Sequence, residues 1–146
     1  MRTLTFLFAL LFALSGCQPA DKSVAAEMSI ATSSINKVEL IDFYGTHRCV
    51  TCEAIEENAK YTVEHFFKDA VKEGKLSFVT INVDEEANYD MAEKFEATGT
   101  ALFINVVKDG TEQHIDLTTF AFEKGTDKEV FSEELKAKLE QQLKSL

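Results

Sequence analysis

The sequence predicts an α/β domain whose central mixed sheet has four or five strands, with helices on both faces. Three observations predict it. Strand-like and helix-like stretches alternate from Val38 to about Ala97. An Asp-Gly pair at Asp109–Gly110 then turns two further strand-like runs into a hairpin, and an amphipathic stretch closes the chain.

The first strand is "VELIDFY", Val38 to Tyr44, a short apolar run rich in strand formers that Gly45 ends. From about Cys49 to Lys72 the apolar residues Cys52, Ile55, Ala59, Val63, Phe66, Phe67 and Ala70 recur at spacings of three and four. That period predicts one amphipathic helix of about six turns, with Gly74 as its stop. "LSFVTINV", Leu76 to Val83, alternates apolar and polar residues and predicts the second strand, anchored by Leu76, Phe78, Ile81 and Val83. In "DEEANYDMAEKFEA", Asp84 is the expected N-cap of a short helix with acids in its first turn. "ALFINVV" and "TEQHIDL" are the third and fourth strands around the "KDG" turn at Lys108 to Gly110. The last helix is expected over Lys128 to Leu146, behind a T-x-x-E capping box at Thr126 to Glu129. Phe131, Leu135, Leu139 and Leu143 lie four apart along it. No internal repeat is visible.

Residues 1–16, "MRTLTFLFALLFALSG", have the anatomy of an export signal. Arg2 precedes a short apolar run that ends in small residues, a run too short and too early for a membrane span. The run ends in "LSGC", which resembles the lipobox of bacterial lipoproteins. That resemblance makes Cys17 the expected lipidated N-terminus, and the alternative is an ordinary secretory signal followed by a chance cysteine. Gln18, rather than Asp, after the lipidated cysteine leans toward the outer membrane by the sorting rule of enteric bacteria. The expected organisation is a signal over 1–16, a flexible tether over 17–35 and one domain over 36–146. The tether, "QPADKSVAAEMSIATSS" at its start, is small and polar and contains Pro19, the only proline of the chain. The formal charge is −10, and loss of Arg2, the one charged residue of the signal, moves it to −11. Such a surface disfavours nucleic acid and anionic lipid as charge-driven partners.

With Cys17 acylated, two of the three cysteines remain as thiols, Cys49 and Cys52, in a compartment where disulfides persist. A C-x-x-C beside a βαβ pattern is a redox signature. From about Val38 to Leu143 the chain resembles the thioredoxin-fold proteins. "LIDFY" matches the strand before the active site and "CVTC" the opening of the long helix. "FVTINVDEE" matches the next strand and its exit, and "TGTALFINVVKDG" the approach to the last hairpin. The resemblance implies a thioredoxin fold, protein thiols and disulfides as substrates, a redox partner, and no cofactor.

The chemistry gives Cys49 and Cys52 separate roles. Cysteines at i and i+3 of a helix share a side, so their sulfurs can bridge. Cys49, at the helix start, lies where free N–H groups and the helix dipole favour a thiolate, and His47 and Arg48 precede it. It is the expected nucleophile, with a pKa below the ~8.5 of a free thiol. Cys52, one turn in, is the expected resolving thiol. Asp42, an acid within an apolar strand, resembles the buried carboxylate with which thioredoxins assist proton transfer. It stands one residue farther from the first cysteine than in most of them, and the alternative is a partly solvated strand-end acid.

Three positions depart from the thioredoxin pattern. Arg48 replaces the tryptophan before the motif, Val50–Thr51 replaces Gly-Pro, and the domain has no proline for the cis-proline loop that faces the cysteines. By position Thr100 and Ala101 supply that substrate-binding loop, in a trans form, because a cis bond before alanine costs about 3 kcal/mol. The missing proline also leaves open a second reading, a non-catalytic thioredoxin-fold module that binds copper, zinc or a protein partner through the same surface. Against a resident zinc, the chain has no second C-x-x-C and no suitably paired histidines, and His65 and His114 are expected on other elements. Glu53 excludes c-type haem attachment, which needs histidine there. As a structural staple a C-x-x-C disulfide would close too short a loop to stabilise much. The acid clusters "EAIEEN" and "DEEAN" are expected to be solvated helix starts. Phe66, Phe67, Phe78, Phe95 and Phe103 are expected in the core, and Phe120 and Phe122 become a partner surface only if exposed.

Overall fold

The computed structural model describes residues 36–146. The expected signal, the tether and Cys17 lie outside the described residues. The element order is β1 (Lys37–Tyr44), α1 (Val50–Phe66), α2 (Lys68–Lys72), β2 (Leu76–Asn82), a 3-10 turn (Glu86–Asn88), α3 (Tyr89–Lys94), β3 (Ala101–Lys108), β4 (Thr111–Asp116), α4 (Thr118–Lys124) and α5 (Lys128–Leu143).

The four strands form one mixed sheet in the order β2-β1-β3-β4. β1 runs parallel to β2, with Leu40 opposite Phe78, and antiparallel to β3, with Leu40 opposite Ile104. β3 returns through a tight turn into β4, with Val106 opposite Gln113. Both central residues of that turn, Asp109 and Gly110, have positive φ (51° and 78°), as a two-residue hairpin of the right twist demands. The α/β class and the mixed four-stranded sheet are therefore observed, in the arrangement that the likeness to thioredoxins implies.

Strand parity splits the core in two. Val38, Leu40, Leu102, Ile104 and Val106 face α1, α4 and α5, where they meet Ile55, Ala59, Val63, Phe131, Leu135 and Leu139. Ile41, Phe43, Ala101 and Phe103 face the other way, toward Phe95 and Ala97 at the end of α3. The four anchors of β2 divide between these faces, Leu76 and Phe78 on one and Ile81 and Val83 on the other. The strand is thus apolar on both sides over different halves of its length. Phe67, Phe95 and Phe103 are buried, while Phe66 and Phe78 pack at the core's margin.

Three local expectations are corrected, and a stretch left unassigned by the sequence proves helical. The single helix over Cys49–Lys72 is two. Phe67 leaves helical geometry (φ −123°, ψ 26°) between the two, and its ring stays buried in the cluster that holds Val63, four residues before it. Asp84 caps no helix, because its carboxylate accepts the Thr46 N–H at 2.7 Å. The cap of α5 is Asp127, whose carboxylate accepts the Val130 N–H at 3.1 Å, one residue on from the expected capping box, and the helix ends at Leu143. Finally, "TTFAFEK" forms α4. Phe120 stacks on Phe131 at 5.1 Å and only Phe122 remains exposed, so the two rings make no joint surface.

Candidate functional site

The loop Gly45–Cys49 leaves the end of β1 and delivers Cys49 to the N-cap of α1. Extended geometry there (φ −95°, ψ 159°) lets its Sγ accept the Cys52 N–H at 3.1 Å. A sulfur in the place of a capping oxygen takes up one of the free donors of the helix start, and it does so most strongly as a thiolate. Cys49 and Cys52 form a disulfide with Cα atoms 5.0 Å apart. The two sulfurs have unlike surroundings. Cys49 is exposed beside Val50, itself 82 % exposed, whereas Cys52 is buried, at 7 % exposure.

Asp42 shares the sheet face of Leu40, the face that α1 covers. It is fully buried, and neither carboxylate oxygen has a hydrogen-bond partner among the described residues. Burial raises its pKa to about 7, against the lowering pull of Arg48 and with a smaller push from Glu56. The partly solvated alternative for Asp42 is thereby excluded.

Arg48 turns inward. Its Nη2 lies 3.6 Å from Asp42 Oδ2 and donates to the Cys52 carbonyl at 3.2 Å. Its Nη1 pairs with Glu56, and the guanidinium lies 4.5 Å from the Tyr44 ring centre. Burial opposes its charge, but the Glu56, Asp42 and Glu53 carboxylates outweigh that effect and hold it cationic. The direct partners of the guanidinium are thus Asp42, Glu56 and the backbone of Cys52. His47 is exposed on the same loop.

Thr100 and Ala101 stand at the start of β3. Ala101 pairs with Phe43, so this loop meets the sheet at the end of β1 from which the cysteine loop departs. No peptide bond among the described residues is cis, as expected for a loop without proline. His65 stacks on Tyr61 in the last turns of α1, and His114 stacks on Phe95 from β4. Among the described residues, no three histidine, cysteine or acidic side chains converge as a metal site.

Two acids of the clusters expected to be solvated make contacts in this region, Glu56 half-buried and Asp84 exposed. Glu56 follows Cys52 by four residues, which puts it on the same helix face, and that spacing was the available signal. Asp84 ties the exit of β2 to the cysteine loop through Thr46, whose N–H holds the Asp84 carboxyl below its usual range. No local pattern joins residues 46 and 84.

No family model matches the chain, and comparison with curated proteins finds no match. Among solved structures it is similar to mitochondrial thioredoxin 3 from Saccharomyces cerevisiae in its oxidized form. The identity is 26 %, the match covers 64 % of this chain and 79 % of that one, and the TM-score is 0.39. It is also similar to chloroplastic thioredoxin z, with 20 % identity, coverage of 69 % and 86 %, and a TM-score of 0.41. A thioredoxin from Thermus thermophilus matches at 14 % identity, with coverage of 54 % and 58 % and a TM-score of 0.37. The fold assignment rests on strand order, register and the two-faced core, and not on these overlaps.

Proposed function

We propose that this chain is a thiol:disulfide oxidoreductase of the bacterial cell envelope, a lipoprotein held by Cys17 and a tether over residues 17–35. One observation supports the chemistry above all: an exposed Cys49 and a buried Cys52 are bridged at the N-terminus of α1, with the Cys52 N–H on the Cys49 sulfur. In the reducing direction, the Cys49 thiolate attacks one sulfur of a substrate disulfide. A Cys49–substrate bond forms, the substrate S–S bond breaks, and the first substrate thiolate leaves and takes a proton from water. The Cys52 thiol then passes its proton to the Asp42 carboxylate, and its thiolate attacks Cys49 Sγ. The intramolecular disulfide closes, the second substrate thiolate departs, and two electrons have moved from the pair to the substrate. A carboxyl with its pKa near 7 suits this role, because at neutral pH it is ready both to take and to return a proton. Thr100 and Ala101 offer the backbone against which an extended substrate would lie.

Equilibration with dithiol–disulfide buffers tests the reading. A single reversible two-electron couple is expected. Cys49→Ser should abolish exchange, and Cys52→Ser should accumulate mixed disulfides through Cys49. If the reduced protein instead binds Cu(I) or Zn(II) stoichiometrically and exchanges with no model disulfide, it is a metal-binding module and the proposal fails.

A further inference from the structure

Arg48 makes four interactions, and three of them are with Asp42, with Cys52 and with Glu56, a carboxylate that itself acts on Asp42. Its Nη2 stands between Asp42 Oδ2 at 3.6 Å and the Cys52 carbonyl at 3.2 Å, so one nitrogen is neighbour to both. Glu56 holds the other end of the guanidinium, and the Tyr44 ring supports its face. The contact with Asp42 stops short of a hydrogen bond. Both Asp42 oxygens and the Arg48 Nε are buried without hydrogen-bond partners among the described residues. A fully satisfied ion pair would lock the carboxylate in its charged form, and an absent one would leave a buried acid permanently protonated. The observed arrangement lies between these limits. It is also not a matter of the two residues alone, because Glu56 takes a share of the arginine's charge.

We propose that Arg48, anchored by Glu56 and Tyr44, is a positioning residue that covers Asp42 and sets the charge the buried carboxylate can carry, and thereby the rate at which Cys52 resolves a mixed disulfide. This rests on the oxidoreductase reading for its last step only. The charged groups facing Asp42 are few. Arg48 comes from the cysteine loop and Glu56 from α1, and Glu53 acts on Arg48. Its sheet neighbours, Thr80 on β2 and Leu102 on β3, are uncharged, and α5 meets the same face through Phe131, Leu135 and Leu139.

Opposite signs make the proposal testable. Removing the arginine's charge takes away the one cation that the described residues place near Asp42, so its proton is held more tightly. Replacing Glu56 by glutamine keeps an oxygen that can anchor Arg48 but removes the charge, which leaves the cation unshared, so the proton is held less tightly. The Asp42 carboxyl carbon is followed by NMR through a pH titration of the oxidised full-length chain, with its signal assigned by loss in Asp42→Asn. Arg48→Met should move the midpoint up by roughly one pH unit, a tenfold change in proton affinity, and Glu56→Gln should move it down. Arg48→Gln is the second neutral variant should Arg48→Met not fold cooperatively. Shifts in the same direction, or no shift in either, overturn the proposal.

The second arm measures the pH profile of mixed-disulfide resolution in the reduced protein. Its midpoint should follow that of Asp42 in each variant, and a profile that stays put while Asp42 moves also overturns the proposal. Absence of exchange in every variant, wild type included, would refute the oxidoreductase reading, whereas the titration would still decide whether Arg48 and Glu56 set the charge of Asp42.

Discussion

Asp42 carries its proton to a higher pH folded than unfolded, and that difference has a sign in stability. Its folded pKa is about 7 against 3.8 for the free group, so between these values the native state holds a proton that the unfolded chain has released. Stability is unpenalised below pH 4, declines through pH 4 to 7, and above pH 7 bears the full cost, on the order of 4 kcal/mol before relaxation. Asp42→Asn removes a buried charge while Glu56 remains to pair Arg48. It should therefore raise the denaturation midpoint at pH 8 and change it little at pH 4, and equal effects at both values would contradict the burial argument. The sequence showed Asp42 as an acid in an apolar strand, which made it a candidate. It did not show that Arg48 covers it, because adjacency to Cys49 suggested that the arginine serves the nucleophile. Side-chain direction at a loop residue depends on what lies beneath, here a carboxylate six positions back and another eight positions on.

At the scale of elements, the strands, the hairpin and the apolar stripe of α5 were legible because each is fixed by local periodicity or turn chemistry. Among the misread features, the long helix breaks at Phe67 although that residue continues the stripe four beyond Val63, and Asp84 leaves its expected cap because Thr46, distant in sequence, claims it. The second of these is checked by hydrogen exchange. Asp84→Asn weakens the bond to the Thr46 N–H, so that amide should exchange faster while amides of β1 keep their protection; an unchanged Thr46 amide would mean the loop is held otherwise. α4 was missed altogether, and Gly125 shows what fixes it. Asn58 of α1 donates to the Gly125 carbonyl at 2.8 Å, and a Cβ on Gly125 would lie 2.5 Å from both the Ala121 carbonyl oxygen and Ile55 Cγ1. Gly125→Ala should thus push α4 off α1 and cost about 1–3 kcal/mol, read as a lower denaturant midpoint with the cysteine couple intact.

For the whole molecule, the order of elements carried the topology, since a βαβ unit followed by a hairpin leaves few sheets to build. Placement of the chain in the cell rests on other residues, Arg2, the apolar run and "LSGC", and on chemistry that a folded domain does not express. The net charge of −10 disfavours electrostatic attachment to an anionic bilayer, and no described helix is long and apolar enough to cross a membrane. If the proposed acylation of Cys17 anchors the chain, attachment is hydrophobic and should survive high salt. The full-length protein is accordingly expected in the membrane fraction after a high-salt wash, and Cys17→Ser should release it to the soluble fraction or leave its export signal uncleaved. Exchange through Cys49 and Cys52 should be unaltered in that variant once the protein is purified, because the tether enters no step of the chemistry. Retention of Cys17→Ser in the membrane with a cleaved signal would show that another segment holds the protein there. Release of the wild type by salt would show instead that the contact is ionic, against the sign of the molecule's charge.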